Sequence, residues 1–135
     1  SGNIGLGLVE GFGLKKGALA SSIAHDSHNI VAVGANDSDI LRATGEIERL
    51  QGGLVVCANH EILASLPLPI AGLLCPEPVE TVVAQFENLQ KAAAKLGNLP
   101  PAPFSILSFL ALPVIPELRL TDLGLVDVMA FKLIK

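Results

Sequence analysis

Two segments with helical periodicity, each preceded by short apolar runs and ended by glycine, limit this chain to a small set of folds. The first predicts a helix over residues 38–51, with N-cap candidates at 36–38 and a stop signal at Gly52-Gly53. The second predicts a helix that opens at Pro76-Glu77-Pro78 and is closed by Gly97. Its apolar face is formed by Val79, Val82, Val83, Phe86, Leu89 and Ala93.

Short apolar runs around these helices predict paired strands. Residues 17–24 and 30–34 are separated by five polar or turn-forming residues, 25–29, so they predict a hairpin with this run in its loop. Residues 54–57 and 62–66 predict a second strand pair joined by a four-residue turn.

The two ends of the chain carry weaker patterns. Apolar residues alternate with glycine from Ile4 to Phe12, which predicts a first strand. Residues 98–103 predict a stiff proline-rich linker. The tail beyond them is predicted to be extended, with a turn at 121–124 and a last strand within 125–134.

Residues 30–51 and 69–90 can be overlaid without a gap at an offset of 39 residues. Two interpretations stay open, a repeated β-β-α unit or chance similarity between two strand-plus-helix segments. Either way, we predict an α+β fold with two layers, in which two main helices pack on a mostly antiparallel or mixed sheet. At 135 residues, we expect residues 1–135 to form a single domain.

Composition excludes several classes of partner. Half of the residues are hydrophobic and only 16% are charged, so we expect an apolar face covered by another domain or by a second copy in a homo-oligomer. The net charge is −4, the basic residues are scattered and Trp and Tyr are absent, which argues against nucleic acid. The longest apolar stretch, 104–115, is too short and too interrupted to span a membrane. Cys57 and Cys75 lack a paired motif, as is typical of reduced thiols in a cytoplasmic protein.

The run from His25 to Asn29 is the only concentration of chemically active side chains. Histidine exchanges protons near neutral pH, so His25, Asp26 and His28 are the candidate catalytic residues, and Ser27 and Asn29 the candidate substrate-binding residues. The alternative is an ordinary turn, because Asp, Ser and Asn are good turn formers. Two histidines do not complete a metal site, and we predict none in this chain.

Five short strings, in order, carry a family resemblance. They are GFGLKKGA (11–18), AHDSHN (24–29), GGLVV (52–56), LPLPIAGL (66–73) and TDLGLVDV (121–128). Together they resemble the C-terminal domain of adenine deaminases over nearly the whole chain.

This resemblance implies a metal-dependent hydrolase of the amidohydrolase superfamily that converts adenine to hypoxanthine and ammonia in purine salvage. A manganese or iron pair would be held in a catalytic barrel that is absent from this chain, so we expect the 135 residues alone to bind no metal pair and to be inactive. The expected partners are the barrel domain of the same protein and adenine. Two roles follow: the 25–29 loop helps close the barrel's site, or the domain is purely structural or an oligomerisation module.

Overall fold

Residues 2–134, which the computed structural model describes, form three helices and seven strands. The helices are α1 (Asp37–Arg49), α2 (Val79–Ala93) and α3 (Pro103–Leu110). The strands are β1 (Ala18–Ser21), β2 (Val31–Gly34), β3 (Gly53–Ala58), β4 (Glu61–Pro67), β5 (Leu118–Thr121), β6 (Gly124–Asp127) and β7 (Lys132–Leu133).

The main sheet has the strand order β2-β1-β3-β4, and every neighbouring pair is antiparallel. β5, β6 and β7 form a smaller antiparallel sheet. The predicted α+β class is confirmed, and both predicted strand pairs are present as β1–β2 and β3–β4.

The layering of the main sheet differs from the two layers that we predicted. Every residue of β1 and β3 is buried, so both faces of these central strands need cover. α1 packs on one face, through Ala43 and Ile47. α2 and α3 pack on the other, through residues that include Leu89 and Leu107. The helices therefore enclose the sheet from both sides.

Helix α1 forms where its periodicity predicts it. The Asn36 side chain accepts a hydrogen bond from the Asp39 N–H at 2.8 Å, which caps the first turn. At the other end, the Gly52 N–H donates to the Ile47 carbonyl at 2.9 Å. The left-handed residue that ends the helix is Gln51, with φ of 60°, rather than the predicted glycine. Helix α2 is likewise confirmed, but it ends at Ala93 rather than at the predicted Gly97. Val79, Val83 and Phe86 of its predicted apolar face are exposed.

Two predictions about the ends of the chain are wrong. Residues 4–12 form no strand, and most of them are exposed. Residues 103–110 form α3 rather than an extended tail, because Pro103 suits a first helical turn and Phe104 and Leu107 lie on one face against the core. The chain does contain two consecutive β-β-α units, β1-β2-α1 and β3-β4-α2. The overlay of residues 30–51 on 69–90 does not match them strand for strand, because residues 70–74 form a turn.

The turn at 121–124 is confirmed, and it joins β5 to β6. The last predicted strand, 125–134, is divided into β6 and β7 by a turn at 128–131. Among residues 2–134, no helix has the length and apolar character needed to cross a membrane.

Candidate functional site

The histidine run lies where the sequence placed it, in the loop between β1 and β2. Ala24 is fully buried and anchors the start of the loop. The His28 N–H donates to the Ala24 carbonyl at 2.8 Å and closes a turn. Asp26 and His28 both adopt left-handed backbone conformations, with φ of 67° and 49°, which Asp and His tolerate better than most residues.

One side of the loop is held by a ring contact. His25 is half-buried and stacks on Phe109 of α3, with ring centroids 4.9 Å apart and an interplanar angle of 28°. Asp26, Ser27, His28 and Asn29 are exposed. The structure therefore brings the five candidates into one turn with one residue packed and four facing outwards, and their proposed roles stay predictions.

An open cleft of about 690 Å³ lies beside the loop. His28 and Ile30 line it on the loop side, and Leu41 and Gly45 line it on α1. An exposed imidazole bordering a cleft can exchange a proton with a group that enters it. The cleft belongs to a surface rather than to an enclosed cavity, so this chain alone does not shield a reaction from water.

Ser22 fixes the floor of this cleft, and sequence reasoning missed it. Its hydroxyl accepts a hydrogen bond from the Gly53 N–H at 2.8 Å and donates to the Gly72 carbonyl at 2.6 Å. One buried side chain therefore connects the end of β1, the start of β3 and the turn after β4. No sequence signal identifies such a residue, because the serine contacts segments 31 and 50 positions away.

Asp39 forms a second cluster, at the opposite end of α1. Its buried carboxylate accepts hydrogen bonds from the backbone N–H groups of His60 at 2.8 Å and Asn59 at 3.3 Å, and from the Asn36 amide at 2.9 Å. The hydrogen bond from His60 is the main reason why the pKa of this carboxyl is below its ordinary value of 3.8, and the bond from Asn36 is the next largest. The pKa of the Cys57 thiol is raised to about 11, mainly because the thiol is buried and also because the Asp39 charge is close to it.

The backbone N–H of His60 therefore connects the β3–β4 turn to Asp39, whereas His25 and His28 lie in the loop between β1 and β2. Within residues 2–134, no group of three or more His, Cys, Asp or Glu residues is arranged to hold a metal ion. The described part of the chain does not fit a manganese or iron pair.

Comparisons with known proteins agree with one another. Residues 1–132 match the family described as adenine deaminase C-terminal domain. A relative named adenine deaminase from Dehalococcoides mccartyi strain 195 is 64% identical over 134 residues, which is 99% of this chain and 24% of the relative. Adenine deaminase 2 from Carboxydothermus hydrogenoformans is 52% identical over 135 residues, again 24% of its length. The chain thus spans about a quarter of the length of the curated relatives it matches.

Proposed function

The chain belongs to the adenine deaminase C-terminal domain family, and from that premise we propose that it works as one part of an adenine-hydrolysing enzyme. The complete enzyme converts adenine and water to hypoxanthine and ammonia in purine salvage. The observation that carries this proposal is the match over 99% of this chain to a relative named adenine deaminase, of which it covers 24%. In this proposal the other part of the enzyme holds the manganese or iron pair. Among residues 2–134, no group of three or more His, Cys, Asp or Glu residues could hold a metal ion.

In this proposal the domain packs on the metal-bearing barrel, and the loop from His25 to Asn29 helps close the active site. Four of its five side chains are exposed, while the stacking of His25 on Phe109 holds the loop to α3. Such a loop can present His28 to a neighbouring part of the protein without being reshaped. Its role is to position the purine or to transfer a proton, which are tasks that suit imidazole and carboxylate groups.

The loop is tested in the full-length protein by His28→Asn. Asparagine also adopts the left-handed conformation but cannot act as an acid or base near neutral pH, so kcat/KM for adenine should fall about 100-fold. The melting temperature of this chain alone should not change, because His28 is exposed in it.

The matched control is His60→Asn, which alters another exposed histidine with a positive φ, 63°. It should leave kcat/KM unchanged. Wild-type kinetics in His28→Asn and also in His25→Ala would remove the loop from the catalytic account.

The second candidate is a purely structural or oligomerisation module, and the exposed apolar residues Val79, Val83 and Phe86 on α2 favour it. On this account the loop variants lose thermal stability or change oligomeric state, and any loss of activity follows from that. Sedimentation and melting measurements on the variants above separate the two.

A cytoplasmic location completes the proposal, and it is supported by two free thiols, Cys57 and Cys75.

A further inference from the structure

Gly45 lies in the middle of α1, where no contact within the described chain calls for glycine. It is exposed, and a Cβ atom added to it would meet nothing within 4 Å. By contrast, a Cβ on Gly34 or Gly53 would collide with neighbouring atoms. Alanine is more favourable than glycine inside a helix, so Gly45 weakens α1 without any compensation in residues 2–134. A glycine that leaves a gap on a helix surface suits the close approach of another backbone.

Apolar side chains border this gap. Leu41, one helical turn before Gly45, is 71% exposed. Ile30, at the end of the histidine loop, is 48% exposed. Both line the same cleft as Gly45. A cleft with a glycine gap and exposed Leu and Ile fits a chain segment that brings its backbone to α1 and buries these side chains.

The position of His28 indicates which segment this is. His28 lines the same cleft, so whatever fills the cleft also contacts the loop proposed to face the barrel. The matched relatives are about four times as long as this chain, and this chain is their C-terminal domain family, so most of such a protein lies outside it.

Resting on the proposed function, we propose that a backbone segment of the barrel-bearing part of the same protein docks in the cleft at Gly45. α1 and the His25–Asn29 loop are then buried in one intramolecular interface. The apolar residues of α2 lie outside this cleft and do not take part.

The test is thiol labelling in the full-length protein, followed at the introduced cysteine by peptide mass because Cys57 and Cys75 are also free thiols. Leu41→Cys places a side chain smaller than leucine in the cleft, so it does not block the segment. Ala84→Cys is the matched control, because Ala84 is an exposed position on α2. Both positions are exposed in residues 2–134, so we expect similar alkylation rates if nothing docks in the cleft. Docking predicts that Leu41→Cys reacts at least about 10-fold more slowly than Ala84→Cys, since its labelling then requires local opening, and that the difference vanishes in urea.

A second substitution tests the gap itself. Adding Gly45→Gln to Leu41→Cys fills the gap with a side chain and should return the alkylation rate to that of Ala84→Cys. Adding Ala84→Gln to Leu41→Cys introduces the same side chain elsewhere and should leave the protection intact. Equal labelling of Leu41→Cys and Ala84→Cys in the native protein overturns the proposal, as does protection that Gly45→Gln leaves unchanged.

Repeating the labelling at several protein concentrations shows whether the cleft is filled by the same polypeptide or by a second copy. Protection by the same polypeptide is independent of protein concentration, whereas protection that disappears on dilution points to a second copy and overturns the proposal. The outcome is also separable from the proposed function. Adenine turnover without protection of Leu41→Cys rejects only the docking site, and protection without adenine turnover rejects only the activity.

Discussion

At the scale of single residues, Ser22 is the clearest example of one side chain organising several segments. Its hydroxyl is buried and bonded on both sides, to the Gly53 N–H and to the Gly72 carbonyl. Removing it leaves a buried donor and a partly buried acceptor without their partner, so Ser22→Ala should lower the free energy of unfolding by about 1–3 kcal/mol.

Urea unfolding of the chain measures this effect. Ser105→Ala, at an exposed position in α3, is the control and should stay within about 0.5 kcal/mol of wild type. An equally small change in Ser22→Ala would mean that the hydroxyl does not hold the floor of the cleft.

Asp39 makes stability depend on pH in a defined direction. Because the folded chain lowers the pKa of this carboxyl below 3.8, the unfolded chain binds the proton more readily. The ionised Asp39 carboxylate therefore contributes its full stabilisation at pH values above 3.8. That stabilisation is lost as the pH falls below 3.8 and through the lower pKa of the folded chain. Asp39→Asn should therefore lower stability near neutral pH by about 1–3 kcal/mol and flatten the decline at acid pH.

Unfolding curves between neutral and acid pH test this prediction. Asp37→Asn changes an exposed carboxylate in the same helical turn and should cost no more than about 1 kcal/mol. A pH profile for Asp39→Asn that runs parallel to wild type would show that the hydrogen bonds to the β3–β4 turn do not lower this pKa.

At the scale of elements, α3 provides a matched pair of neighbouring positions. Leu107 is 3% exposed and packs in the core, whereas Ile106 is 38% exposed. Leu107→Ala should cost about 2–5 kcal/mol, and Ile106→Ala should cost distinctly less because it leaves a smaller cavity. Chemical denaturation of the two variants measures the difference. Equal costs would mean that α3 does not pack on the sheet through Leu107.

The elements also show where sequence reasoning succeeds and where it stops. α1 and the β3–β4 pair were predictable because their periodicity, caps and turns are local. α3 was missed because its short apolar segment follows several prolines, and its helical form depends on contacts with strands far away in sequence. The strand expected at residues 4–12 failed for the complementary reason, since alternation without a partner strand does not make a sheet.

The candidate site was predictable only in part. The position of the histidine loop followed from the hairpin pattern around it. The stacking of His25 on Phe109 and the floor provided by Ser22 did not, because both join distant segments. Gly45 left a visible signal, a glycine within a helical pattern, whose meaning appears only once the empty space around it is known.

At the scale of the whole molecule, the proposed function makes this chain a necessary but insufficient part of an enzyme. Its surface carries exposed Leu41, Ile30 and Val79 among many other apolar side chains, and a chain with this surface is well suited to burial against another part of a protein. The chain belongs to the adenine deaminase C-terminal domain family and spans about a quarter of the length of the curated relatives it matches.

Hypoxanthine formation from adenine tests this claim most directly, measured on three proteins: the full-length protein, the same protein without this domain, and this chain alone. The account predicts turnover by the full-length protein, a large loss without the domain, and none by the chain alone. Full turnover by the protein that lacks the domain, or hypoxanthine formation by the isolated chain, would contradict it.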